Sequence, residues 1–337
     1  MKFGETFTEY LHGEQERFLV KCSHVEYKRL KQVLKSCKSC RALQDSSSNE
    51  ESHVDGSDAV APLCQCESCS LCDQMFFSEL MKESSEISGF LSSRVRRLLH
   101  LDLSKGLQKY VLRLSHCFGN DQHAMDQEVR MLINYVIMNA LAIRKILKKY
   151  DKVHSSKNGR NFKTKLQAEH IELLQSPWLI ELGAFYINSN GSVGGDSIEN
   201  SHQFSFDFSS AQPVLTLVLP NSMKIEYNLI CAICLDIVFN PYALSCGHLF
   251  CKACACSAAS VLIFEGLKSA PPKSKCPICR EVGVYRNSVH MMELDLLLKN
   301  RCKEYWKERL HEERAEMVKQ SKEYWESQSK LFMGFGN

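Results

Sequence analysis

The chain has 337 residues, enough for two modest domains with separate cores, and its 44% hydrophobic and 24% charged residues are ordinary for a globular protein. A net charge of +3 says little about partners. The seventeen cysteines do not read as a secreted disulfide framework, because Met1-Lys2-Phe3-Gly4-Glu5 leads into no apolar signal segment, so they read as thiols of a reducing compartment.

In chain order, residues 1–13 predict a short helix and residues 24–37 a second, with Val25, Leu30, Val33 and Leu34 on one side. Residues 37–72 follow as an insert. It holds Cys37-x2-Cys40 and Cys64-x-Cys66-x2-Cys69-x2-Cys72 around an acidic, serine-rich run from Asp45 to Asp58. Cys37, Cys40, Cys69 and Cys72 have spacing suited to a further zinc; the alternative is a set of free thiols, since no His supports the site. Residues 73–114 predict a long helix, broken near Leu101-Asp102, with Phe76, Leu80, Ile87, Leu91 and Val95 in its core-facing stripe. Gly119-Asn120-Asp121 supplies a stop and an N-cap, and a helix over 124–152 follows. A shorter helix over 165–174 closes the set before Pro177. The pattern predicts an all-helical bundle of long antiparallel helices.

The composition then changes. Residues 184–212, with Asn188-Ser189-Asn190-Gly191-Ser192 at the start, read as a flexible linker, and 214–219 as a strand closed by Pro220-Asn221. Residues 213–290 form the next candidate domain, and 291–337 carry a highly charged helix. That helix has Leu294, Leu298, Tyr305, Trp306 and Leu310 along one side, a stripe expected to pack on the preceding domain. No heptad holds through it, so a long coiled coil is not expected. No apolar run reaches the length needed to cross a bilayer and no lipidation signal stands at either end, so no transmembrane segment is expected.

Two constellations carry chemistry. The first reads Cys231-x2-Cys234, eleven residues, Cys246-x-His248-x2-Cys251-x2-Cys254, twenty-one residues, Cys276-x2-Cys279. A tight turn brings two such ligands to tetrahedral bonding distance of one zinc, so four pairs make two closed, structural sites with no position for a catalytic water. The second lies on the helix over 124–152, where Lys145, Lys148, Lys149 and Lys152 fall at i, i+3, i+4 and i+7 and share one face. Tyr27 and Lys31 share a face of the second helix, with Lys28 and Lys35 close by. Lysines are compact charges suited to phosphate, and the tyrosine hydroxyl adds a donor. The alternative is a solvated basic face at a helix C-terminus, where the dipole favours cations. Base-stacking aromatics are not interleaved with the lysines, so no nucleic-acid partner is expected.

The ligand order, with its single His fourth, resembles the RING-HC (C3HC4) finger. The resemblance implies interleaved sites for two Zn2+ per chain: Cys231, Cys234, Cys251 and Cys254 on one, Cys246, His248, Cys276 and Cys279 on the other. It also implies that Ile233 and Pro277 help form an apolar groove for a ubiquitin-conjugating enzyme. Arg280, after the last ligand, would bridge that enzyme and its thioester-linked ubiquitin, with no covalent nucleophile in the ligase. Ile233 and Pro277 have a second reading, as packing for the zinc knuckles. Many RINGs carry a Trp soon after the sixth ligand; here the stretch is Ala255 to Leu262, which implies a shallower groove.

Met1-Lys2-Phe3-Gly4, Tyr27-x3-Lys31 and Lys145-x2-Lys148-Lys149-Tyr150-Asp151-Lys152 resemble the basic segments of the SPX domain, an inositol polyphosphate and pyrophosphate sensor. The resemblance covers residues 1–183 and implies a helical hairpin plus a three-helix bundle. Carried over by position, Tyr27, Lys31 and Lys152 match the phosphate-binding cluster, Lys145, Lys148 and Lys149 the adjoining lysine surface, and Lys2 a weaker member. An SPX bundle joined to a small α+β RING and a C-terminal helix is similar to the plant ubiquitin ligases of the nitrogen limitation adaptation type. That likeness implies a conjugating enzyme loaded with ubiquitin as partner and a membrane phosphate transporter as target. It places the chain in phosphate and nitrogen homeostasis, in the cytosol, peripherally at the plasma membrane or in the nucleus. The competing expectation is a non-catalytic phosphate-status adaptor whose RING only binds protein; a cation at Arg280 favours the ligase.

Overall fold

The structure is a computed structural model that describes residues 3–13, 16–20, 22–35, 70–99, 121–154, 157–190, 204–207, 213–220 and 222–334. Lys2 and the cysteines of the 37–72 insert up to Cys69 lie outside them, and the side chain of Cys72 is not described. The described residues are mostly helical, with two small sheets near the C-terminal finger. Two compact units emerge, residues 1–91 with 135–173 and residues 92–134 with 174–337.

The first unit is built from α1 (Phe3–Leu11), α2 (Glu16–Leu19), α3 (27–35) and parts of two long helices, α4 (Ser70–Leu98) and α5 (Asp121–His154), closed by α6 (Asn158–Ala168). Apolar residues at helical spacing turn inward: Leu30 and Leu34 from α3, Phe76, Leu80 and Ile87 from α4, Val136, Ala140, Ile143 and Leu147 from α5 are all buried. An aromatic cluster fills one end, with Phe77 against Tyr150 and Phe162 at centroid distances of 4.7 and 4.9 Å. Two buried polar contacts fix the segment entering α3. The Asn139 Oδ1 accepts the Val25 N–H at 2.9 Å, and the Tyr135 hydroxyl donates to the Ser23 carbonyl.

Helix α6 begins seven residues before the expected 165, because α5 and α6 are joined by a cap that propensity does not reveal. The Asp151 carboxylate accepts the N–H groups of Gly159 and Arg160 at 2.6 and 3.2 Å, meeting two of the orphan donors of the first turn. Gly159 is required there: a Cβ would stand 2.6 Å from the Leu147 carbonyl oxygen.

The second unit contains α7 (Pro177–Asn190), a meander β1 (Phe204–Asp207), β2 (Val214–Val218) and β3 (Lys224–Asn228), and the finger. The finger holds β4 (Pro241–Ala243), β5 (Leu249–Cys251), α8 (Lys252–Ala258) and β6 (Val289–His290), and α9 (Met292–Arg301) and α10 (Lys303–Gly334) follow it. The meander is antiparallel, Phe204 opposite Leu217 and Leu217 opposite Ile225, and the finger sheet runs β5-β4-β6.

Three expectations change here. Pro177 starts a helix instead of ending the bundle, since proline's fixed φ and missing N–H suit the first helical position. Within 184–212, read as linker, α7 continues to Asn190 and β1 pairs with β2. Helix α7 is apolar around much of its circumference, with Leu179, Leu182, Ala184 and Phe185 buried, so periodicity does not announce it. A Cβ at Gly183 would meet the Phe204 ring at 2.5 Å, so the glycine admits β1 against the helix. The expected single helix within 291–337 is broken at Cys302 (φ −119, ψ 51). The break turns α10 onto the finger: Trp306 packs on Phe239 at 5.6 Å, and the Tyr305 hydroxyl donates to the Ile237 carbonyl at 2.6 Å.

Candidate functional site

The finger is organised by two hairpin knuckles with the same hydrogen bonds. Leu235 N–H donates to the Cys231 carbonyl and Cys231 N–H to Asp236, both at 2.8 Å. Arg280 N–H donates to Cys276 at 3.0 Å and Cys276 N–H to Glu281 at 2.9 Å. Leu235 (φ 59) and Arg280 (φ 65) therefore occupy equivalent left-handed positions. A third turn, closed by Gly247 at φ +84, presents Cys246 and His248, and Cys251 and Cys254 straddle the start of α8.

These pieces gather the ligand atoms into two groups, Cys231, Cys234, Cys251 and Cys254, and Cys246, His248, Cys276 and Cys279, each with all atoms within 4.8 Å of one another. A zinc bonded tetrahedrally to thiolates at about 2.3 Å sets sulfurs about 3.8 Å apart, and about 3.5 Å separates sulfur from a histidine nitrogen. Cys234 Sγ and Cys251 Sγ stand 3.7 Å apart. His248 Nδ1 stands 3.4 Å from Cys246 Sγ and 3.6 Å from Cys276 Sγ. Donor set and spacing fit zinc, with Nδ1 as the histidine atom turned to the metal. Burial pushes the Cys246 and Cys279 thiols up, so a cation must offset the cost of gathering thiolates here.

Around the knuckles, apolar side chains face solvent. Ile233 is 38% exposed and Pro277 is exposed beside Ile278 at 48%. Leu235 at 77% and Val282 at 56% belong to the same hairpins and were not singled out from the sequence; their place just after each Cys-x2-Cys turn is the signal that would have found them. Arg280 is exposed on its left-handed backbone. Where a Trp is common in such fingers, Ala258 is exposed and Ala259 buried; the aromatic in this part of the finger is Phe264, 39% exposed and edge-on to Tyr324 at 5.8 Å.

The first unit brings the basic segments together. The Tyr27 ring meets Phe3 at 5.3 Å and Phe7 at 6.2 Å, and its edge lies beside Gly4. Lys145 Nζ lies 5.9 Å from the centre of the Phe3 ring, a contact the sequence gives no sign of. Burial and the neighbouring Lys31 and Lys35 ammonium groups hold Lys149 below the usual lysine range. Burial raises Tyr27, which keeps its proton as a donor. Lys148 and Lys152 are exposed on the same helix and form no ion pair among the described residues, and Asp151 is committed to the α6 cap.

Comparison with known proteins agrees with this geometry. The model of the zinc finger of C3HC4 type (RING finger) matches residues 231–279. A probable E3 ubiquitin-protein ligase BAH1-like of Arabidopsis thaliana is 60% identical over 336 residues, covering 99% of this chain and 100% of the relative. BAH1-like 1 of Oryza sativa subsp. indica is 59% identical over 339 residues, with 99% and 100% covered. The E3 ubiquitin-protein ligase NLA of Arabidopsis thaliana is 42% identical over 345 residues, again with 99% and 100% covered. No helix among the described residues is long and apolar enough to cross a membrane. With full-length likeness and a finger of matching ligand order, the chain belongs to the BAH1-like and NLA family of RING-type E3 ubiquitin transferases.

Proposed function

We propose that the two ligand groups are the zinc sites of the RING, Cys231, Cys234, Cys251 and Cys254 at one and Cys246, His248, Cys276 and Cys279 at the other. Two closed sites make the metal structural, so the chemistry is done by positioning. Ile233 and Pro277 dock the ubiquitin-conjugating enzyme. Arg280 donates to that enzyme and to its ubiquitin together, which its planar fork permits. A target lysine amine then attacks the thioester carbonyl; the amide C–N bond forms, the C–S bond breaks and the thiol stays with the conjugating enzyme.

In the same reading, residues 1–183 form an SPX-type sensor of inositol polyphosphates. The observation that carries it is the convergence of three distant segments: Phe3 and Gly4, Tyr27 with Lys31, and Lys145 with Lys149 stand on one face. Ammonium groups crowded until one titrates low are costly in the free protein, and a polyphosphate relieves the repulsion. Lys148 and Lys152 extend the surface, and Lys2, outside the described residues, joins the proposed set by its place in the sequence alone. The target in this reading is a membrane phosphate transporter, reached from the cytosol, which ties ubiquitin transfer to phosphate and nitrogen status.

Calorimetry with inositol hexakisphosphate tests the sensor. A combined Tyr27→Phe, Lys31→Ala, Lys152→Ala variant should lose at least tenfold in affinity, at about 1.5–3 kcal/mol per charge-assisted contact. Unchanged affinity would leave the solvated basic face standing.

A further inference from the structure

Helices α4 and α6 of the first unit flank an open groove of about 770 Å3 that neither the RING nor the lysine face uses. Its apolar part is Phe77, half-buried Met81 and buried Phe162, the two rings stacked at 4.9 Å. Asn161, Lys82 and Lys165 also line it, and all three are exposed. Met75 is 62% exposed and shares a helical face with Ser78 and Lys82, so apolar surface runs on past the groove.

Charge names the occupant. Helix α6 carries Arg160, Lys163 and Lys165 and no acidic residue. Among the described residues Lys82 and Lys165 pair with exposed, loose partners, Glu86 at 4.0 Å and Glu169 at 3.7 Å, and such pairs are worth little and exchange readily. The span from Asn158 to Lys165 is seven residues of helix, about 10 Å, which matches roughly three residues of extended peptide. Asn161 offers an amide to peptide groups along such a stretch.

We propose that the α4–α6 groove docks a short acidic segment of a partner protein, with one aromatic or aliphatic side chain seated on Phe77, Met81 and Phe162 and flanking carboxylates on Lys82 and Lys165. In a ubiquitin ligase such a dock holds a protein on the same chain as the RING without using the RING. A polypeptide fits better than a small anion because the floor is apolar and the cations stand at the rim.

The test is fluorescence anisotropy of the full chain with a fluorescein-labelled nonapeptide, a single Leu flanked on each side by Asp and Glu. The peptide should bind saturably, and Lys82→Glu with Lys165→Glu should weaken it at least tenfold. Met81→Glu should do the same, with folding checked by thermal melting. Replacing the central Leu by Ala should also cost at least tenfold. The proposal is overturned if the peptide does not bind, if the Ala peptide binds equally well, or if Lys31→Ala with Lys149→Ala abolishes binding while the groove variants do not.

Discussion

The carboxylate of Glu181 in α7 accepts the backbone N–H groups of Glu293 and Leu294 at 2.7 and 3.2 Å, capping a helix 112 residues later in the chain. Glu181 is fully buried, and Met291 at the N-cap position provides no side-chain cap of its own. Asn188 adds donors to the Glu293 carbonyl and carboxylate at 2.9 and 3.1 Å. Helix α7 is thus joined to the helix that follows the RING by buried hydrogen bonds, where a flexible tether was expected.

Removing that cap should be costly. Glu181→Ala leaves two buried N–H groups without an acceptor and is expected to destabilise the second unit by about 2–4 kcal/mol. Glu181→Gln keeps one acceptor and should cost clearly less. Urea unfolding of the three proteins checks the ranking; equal midpoints for wild type and Glu181→Ala would refute it.

Glu83 gives a pH dependence. Burial pushes its carboxyl up to about 7, while it accepts the Glu26 N–H before α3 at 3.3 Å, near Glu79 and Arg29. A carboxyl raised on folding contributes stability that is present below its unfolded pKa and lost as pH rises through the folded value. Between pH 5 and pH 8 the wild type should therefore lose stability relative to Glu83→Gln, which stays neutral. Melting temperatures of both proteins across that range decide it, and a constant difference would count against the assignment.

The finger separates metal from positioning. Cys279→Ala should lower bound zinc from two equivalents to one in native mass spectrometry and unfold the RING, since metal binding supplies much of such a module's folding free energy. Arg280→Ala should keep both zincs and still bind the conjugating enzyme, yet lose ubiquitin discharge. Arg280→Gly is the sharper variant: glycine suits φ +65 better than arginine, so stability should hold or rise while discharge fails. Discharge at the wild-type rate would remove Arg280 from the mechanism.

Lys149 should show a trade of stability for binding. Relieving repulsion from Lys31 and Lys35, Lys149→Gln is expected to stabilise the ligand-free protein by a few tenths of a kcal/mol at low salt and to weaken inositol hexakisphosphate binding. Melting at 20 mM and 500 mM salt, alongside calorimetry, separates the two effects; a stabilisation insensitive to salt would argue against repulsion.

Helix α10 braces the finger at a loop. Gln320 Oε1 accepts the Ile263 N–H at 3.0 Å beside the Phe264–Tyr324 contact. In Gln320→Ala the Ile263 amide should exchange with deuterium faster while amides of the Cys231 knuckle keep their protection. Uniform acceleration would mean global loosening instead.

Much was legible because the signals are local. The order of Cys231 to Cys279 announces two tetrahedral sites, since turn geometry alone brings paired ligands together, and the clusters contain those residues. Apolar residues of α4 and α5 at helical spacing mark their buried faces for the same reason. The lysines from 145 to 152 share a helix face by arithmetic. What the sequence did not disclose depends on partners far away in the chain. Helix α7 is buried around much of its surface and so has no period to detect, and the break at Cys302 follows from Trp306 and Tyr305 docking on Phe239 and Ile237. The seat of Lys145 on Phe3, the cap of α9 by Glu181 and the groove under Phe77 and Phe162 were decided by tertiary structure, because each joins residues that only packing brings into contact.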